Sequence, residues 1–205
     1  MKIFFTILLL LSCVQANNVS EGKLAFQQGQ YAKAISILTP LVKKADSVAQ
    51  YLVGVIYYNG IEVPRDQDRA YKLFLLSAKQ GNAHAQVALA KIYYIGNLQN
   101  RDVKKVLYWN QKAADQNDPV AQYSLGSFYR TEEGYIDIKK SVYWYKKAAD
   151  QGYADAEYVI GQMNCLGDRI AQDLENCYNY LSKAKMQGVD VTYLWEKYEL
   201  EQFNK

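Results

Sequence analysis

The chain has 205 residues, 24 Lys and Arg against 21 Asp and Glu, and one His. That length suits one domain or one repeat array and can bury a core without staples. The net charge of +3 is slight and reads as evenly spread, so composition gives no reason to expect nucleic acid. A single His excludes most Ser-His-Asp, Cys-His and multi-His metal schemes. Half of the residues are apolar and only three are Pro, which excludes a disordered chain; tyrosine, at 19, is the outlier.

At the N-terminus, Met1-Lys2 supplies one positive charge, and Ile3 to Leu11 is apolar except for Thr6. As a helix this run would rise roughly 14 Å, about half of a hydrocarbon core, so it is no membrane span. Residues 1–16 read as a secretory signal peptide. Two processing sites compete. Val14-Gln15-Ala16 before Asn17 suits simple cleavage, whereas Leu10-Leu11-Ser12-Cys13 resembles a bacterial lipobox, in which Cys13 would be lipidated. The chain is therefore expected in the bacterial periplasm or envelope, with membrane attachment only through a lipidated Cys13. Cys165 and Cys177 then lie in an oxidising compartment.

The remainder repeats itself. Ala49, Ala85, Ala121 and Ala156 are 36, 36 and 35 residues apart. Val53, Leu89, Leu125 and Ile160 keep that step, as do Gly54, Ala90, Gly126 and Gly161. Ala49, Val53 and Tyr57 form the core stripe of a first helix A, and the small residue beside it lets a helix B approach. Gly60, Gly96 and Gly167 fall where helix A needs a left-handed terminator. Asp66, Asp102, Asp137 and Asp173 fall where helix B needs an N-cap acceptor. Asp118-Pro119 supplies a cap and a first-turn proline for the third helix A. The third unit is one residue short and has Glu132 at the terminator slot, with Gly134 nearby. Trp109, Trp144 and the registered tyrosines are expected to pack helix on helix. Each unit is thus a helix hairpin, and tandem hairpins bury each other's apolar faces.

The run Ala121-Gln122-Tyr123-Ser124-Leu125-Gly126-Ser127-Phe128-Tyr129, with Trp144-Tyr145-Lys146-Lys147-Ala148-Ala149-Asp150-Gln151-Gly152, resembles the Sel-one-like repeat, a relative of the tetratricopeptide repeat. The resemblance implies an all-α fold, an α/α superhelical solenoid of helix-hairpin repeats. Four repeats are expected at 46–81, 82–117, 118–152 and 153–188. A divergent tetratricopeptide-like hairpin over 17–45 precedes them, with Gly29-Gln30-Tyr31 in its turn, and a capping helix over 189–205 follows.

No HExxH, CxxC pair, GxSxG or phosphate-binding loop occurs, so no enzyme activity and no cofactor is expected. Cys165 and Cys177, twelve apart, fall late in helix A and early in helix B of the fourth hairpin, positions that face each other across the turn and allow a disulfide. The expected activity is binding of a protein or peptide, not nucleic acid, along the concave surface that the resemblance assigns to helix A. The residues placed there are Leu52 and Val55, then His84, Ala88 and Lys91, then Ser124, Ser127 and Arg130, and finally Gln162. Resemblance also implies two alternatives. One is an envelope immunity or inhibitor protein that neutralises a toxin. The other is a weak β-lactam-binding hydrolase, although relatives of that kind carry a cysteine pair in every repeat.

Overall fold

The computed structural model describes residues 18–96 and 100–204; the signal segment, both processing sites and Cys13 lie outside them. Among the described residues every regular element is helical. Helix α1 covers 18–27, followed by α2 (Tyr31–Lys43), α3 (Ser47–Asn59), α4 (Gln67–Lys79), α5 (Ala83–Ile95) and α6 (Val103–Ala114). Next come α7 (Pro119–Thr131), α8 (Ile138–Ala149), α9 (Ala154–Leu166), α10 (Leu174–Met186) and α11 (Thr192–Lys197), then a 3-10 turn, Leu200–Phe203. The chain divides into two compact units, Met1–Trp109 and Asn110–Lys205, with the boundary inside α6. Charge divides with them, contrary to the even spread expected. Residues 1–109 hold 13 Lys and Arg against 6 Asp and Glu, whereas residues 110–205 hold 11 against 15.

In the first unit the helix boundaries follow local chemistry. The Asp46 and Asn82 side chains accept from the backbone amides of Ala49 and Ala85, and Asp66 accepts from Arg69. Gly60 and Gly96 end α3 and α5 at φ 71° and 72°, a conformation that costs residues with a Cβ. Helix α2 has no side-chain cap from Gln30; instead Glu62, in the turn of the next hairpin, accepts from the Ala32 amide at 2.9 Å. Helix α3 packs against both α2 and α4 around Leu38, Leu41, Val53, Ile56 and Leu73. A Cβ on Gly54 would come within 2.8 Å of the Phe74 ring, so the glycine sets how closely α3 and α4 approach.

In the second unit Asp118, Asp137 and Asp173 cap α7, α8 and α10. The backbone amides of Lys140 and Asn176 hold the Asp137 and Asp173 carboxyls below the usual range. At the shortened turn Glu132 stays extended, and the left-handed position passes to Gly134 at φ 80°. Trp144 is half-buried and not a core residue. The ring at the centre of α8 is Tyr145, 2% exposed, against which a Cβ on Gly126 would stand at 2.6 Å. Ser141, Tyr145, Ala148 and Ala149 are the inward face of α8, and Trp144 is turned off it. Cys165 and Cys177 form a disulfide, both fully buried, with their Cα atoms 5.0 Å apart. The segment expected as one capping helix is α11 plus the 3-10 turn. It covers the Cys165–Cys177 end of the core with Leu194 and Leu200, and Trp195 and Tyr198 pack alongside.

A polar pair runs through the cores. Gln80 donates to Gln50, Gln151 to Gln122, and Gln187 to Glu157, at 2.7, 2.7 and 2.8 Å. The last pair has a carboxylate where the others have an amide. Burial pushes the Glu157 carboxyl up, against the opposing pull of the Gln187 hydrogen bond and the Lys183 charge.

Candidate functional site

In the first unit the expected helix A surface is only partly a surface. Leu52 is 6% exposed and belongs to the core with Ala49, Val53 and Ile56. Because α3 is flanked by α2 as well as α4, it buries a wider arc than one stripe, and Leu52 falls inside that arc. Val55 and Ala88 are half-buried. His84 and Lys91 are exposed, and the His84 ring lies 5.6 Å from that of Tyr51.

The helix A residues of the second unit are largely engaged within the chain. The Ser124 hydroxyl donates to the Val120 carbonyl at 2.8 Å, and the Ser127 carbonyl accepts from the Thr131 hydroxyl at 3.0 Å. Arg130, expected to meet a partner, makes a 2.6 Å ion pair with Asp168 in the turn between α9 and α10. Arg169, beside it, donates to the Arg130 carbonyl at 3.1 Å. The guanidinium therefore ties two neighbouring hairpins together. Gln162 is half-buried.

Reading the sequence missed the aromatic group of this unit. Tyr123 lies 5.5 Å from Tyr145 and 5.4 Å from Tyr153, centroid to centroid, and burial pushes all three hydroxyls up. Tyr153 occupies the N-cap of α9, the slot held by Asp46, Asn82 and Asp118 before α3, α5 and α7, and it makes no side-chain cap bond. Losing such a cap costs about 0.5–2 kcal/mol. A tyrosine at a position that otherwise takes Asp or Asn was the available signal. Asp155 and Glu157 in the first turn of α9 offset part of that cost through the helix dipole.

The signature of the Sel1 repeat matches residues 47–82, 83–118, 119–153 and 154–189. The chain belongs to the Sel1 repeat family. A crystal structure of a Sel1 repeat protein from Oxalobacter formigenes superposes with a TM-score of 0.76 at 27% identity, over 83% of this chain and 70% of that one. A protective antigen of uropathogenic Escherichia coli with the same repeat fold gives 0.74 at 26% identity, over 85% of this chain and 38% of that one. Chitin synthase regulator SKT5 of Saccharomyces cerevisiae is 33% identical over 114 residues, 55% of this chain and 16% of the regulator. The fold class is thus the all-α solenoid of Sel1 repeats.

Among the described residues no three His, Cys, Asp or Glu side chains are grouped to hold a metal ion. Among them, too, no helix is long and apolar enough to cross a membrane.

Proposed function

We propose that this Sel1 repeat protein is an exported scaffold of the bacterial envelope that binds a protein or peptide through its helix A surfaces. Sel1 repeat proteins generally mediate protein interactions, and the rest of the reading is specific to this chain. The observation that carries it is Tyr153 against Tyr123. A stabilising cap is given up for an aromatic ring beside another half-buried aromatic ring, and tyrosine is among the residues that dominate interface energies. In the first unit the exposed His84 lies beside the half-buried Tyr51 ring, a further aromatic contact at the start of a helix A.

The test separates binding from folding. Tyr153→Asn restores the side chain found at Asn82, so the regained cap offsets the lost ring contact and the melting temperature should move little. Capture of the dominant partner from envelope extract should fall by about tenfold, roughly 1.4 kcal/mol. Capture that survives Tyr153→Asn but is lost on reversing Lys139, Lys140, Lys146 and Lys147 on α8 would move the binding surface to helix B. In the same experiment the captured chain should begin at Asn17 or at an acylated Cys13. An intact Met1 removes the export part of the reading. A captured toxin or hydrolase would narrow the role to neutralisation.

A further inference from the structure

The turn edge of the first unit carries a repeated pairing of cations and tyrosines. Arg65 lies over Tyr58 at 5.8 Å and Arg69 over Tyr57 at 4.2 Å. One hairpin on, Arg101 lies over Tyr94 at 5.5 Å and Lys105 over Tyr93 at 4.7 Å. Each of the four cations is exactly 36 residues from its counterpart, as is each ring, and all four cations are exposed. Arg65 is fixed further by donating from Nε to the Tyr58 carbonyl at 3.0 Å. Tyr93 is itself held by a 2.7 Å hydrogen bond to Tyr71, whose hydroxyl is pushed up to about 12 by burial and by that bond.

The repeat does not need this pairing in order to fold. In the third hairpin Tyr129 and Lys140 keep one pair at 5.2 Å, but Arg130 and Ile136 replace the second ring and its arginine. In the fourth the same slots hold Asn164, Cys165, Gln172 and Asn176, with neither ring nor cation. The hairpins are nevertheless capped and packed alike. The double pairing is therefore a property of the first unit, which is also the unit with about twice as many cations as acids.

We propose that this edge docks an acidic peptide segment of a partner protein, one whose carboxylates are interspersed with apolar side chains. A cation held against a ring is partly desolvated and has its long side chain ordered before the carboxylate arrives, which lowers the entropic cost of pairing. The turns are bordered by exposed apolar residues, Ile61, Tyr94 at 57% and Ile95 at 50%, which suit the apolar side chains of such a segment. Beside Tyr57 and Arg65 an open cleft of about 560 Å³ extends past Pro64 and Asp66 to Asp68. The carboxylates of Asp66, Asp68 and Asp102 sit among the cations, and Asp102 pairs with Lys105 at 3.4 Å. A continuous row of phosphates would meet them, whereas a peptide can place its carboxylates between them. The four cations lie in the turns and at the starts of α4 and α6 rather than on helix A, so their variants test this proposal separately from the function proposed above.

The probe is a fluorescent twelve-residue peptide of repeated Glu-Leu-Glu, its control the Gln-Leu-Gln counterpart, with anisotropy read on the full chain. The acidic peptide should bind at least about tenfold tighter than the control and weaken steeply with salt. The combined variant Arg65→Gln, Arg69→Gln, Arg101→Gln and Lys105→Gln should lose that advantage with an unchanged helical circular dichroism spectrum. The variant Lys139→Gln, Lys140→Gln, Lys146→Gln and Lys147→Gln should keep it. Equal binding of the two peptides overturns the proposal, as does equal loss in both variants. So does a preference for anionic lipid vesicles or a DNA oligonucleotide over the acidic peptide. If the first variant misfolds, protection of Arg65 and Arg101 from a guanidine-specific reagent by the acidic peptide decides the matter on the native protein.

Discussion

At the slot that holds Tyr58 and Tyr94 in the first unit, the second unit has Arg130, and the two solutions use one turn edge in opposite ways. In the first unit cations lie on rings and face solvent. In the second, Arg130 reaches the next hairpin, where Asp168 takes its charge and Arg169 takes its carbonyl. The receiving turn is braced from beneath by the Cys165–Cys177 disulfide and by Gln172, which donates to the Cys165 carbonyl at 2.7 Å. The buried stripes and caps are common to both units. The repeat therefore fixes helix placement and leaves the turn edge open to become either a contact surface or a brace.

The contrast is broken most directly at the disulfide. Cys165→Ala with Cys177→Ala should cost about 3 kcal/mol, the chain-entropy value for a loop of this size. Amide exchange should quicken in α9 and α10 while α3 and α4 keep their protection. Equal quickening in both units would mean that they do not unfold separately. Next in size is Gly126→Val, which forces a side chain against Tyr145 and should destabilise by about 1–3 kcal/mol in a urea titration. Gly54→Val against Phe74 should cost a similar amount, since here the two units are built alike. A harmless valine at either glycine would show that the α3–α4 or α7–α8 contact is looser than drawn.

The smallest effect sharpens the comparison of the buried pairs. Glu157→Gln installs the amide found at Gln50 and Gln122 and removes a carboxylate that is only 3% exposed. The variant should be more stable at neutral pH, by something on the order of 1 kcal/mol. The sign follows from the raised pKa. The folded state holds the Glu157 proton more tightly than the unfolded state does, so this group's stability contribution rises as pH falls. The penalty is present above the folded pKa and is gone below the unfolded one. The gap between variant and parent should therefore close as the melting pH is lowered through that window. A gap that stays constant with pH would mean that the carboxylate carries no burial penalty.

Much of the fold was legible because its determinants are local. A cap needs one acceptor three residues before the amide it serves, and a helix terminator needs one residue that tolerates positive φ. Asp66, Asp102, Asp137 and Asp173, and Gly60, Gly96 and Gly167, announce themselves for that reason. The disulfide was legible too, because the antiparallel hairpin fixes which late helix A residue meets which early helix B residue. The surface proposed for binding was much less so. The resemblance assigned it to helix A and helical period put Leu52 and Arg130 on that helix's non-core face, but period says which residues share a face and not how many neighbours that face meets.

Sequence by itself determined the hairpin period, the caps and terminators, the Gly54, Gly126 and Gly161 contacts and the Cys165–Cys177 pairing. Each of these depends on spacing along one hairpin. Tertiary structure decided what depends on the neighbouring hairpin. It buried Leu52 between α2 and α4 and brought Tyr153 onto Tyr123. It also supplied the remote cap from Glu62 to Ala32 and withdrew Arg130 into an ion pair with Asp168. Those partners are about 30 or more residues apart, and side chains that meet over such separations follow from packing angles that no local periodicity encodes.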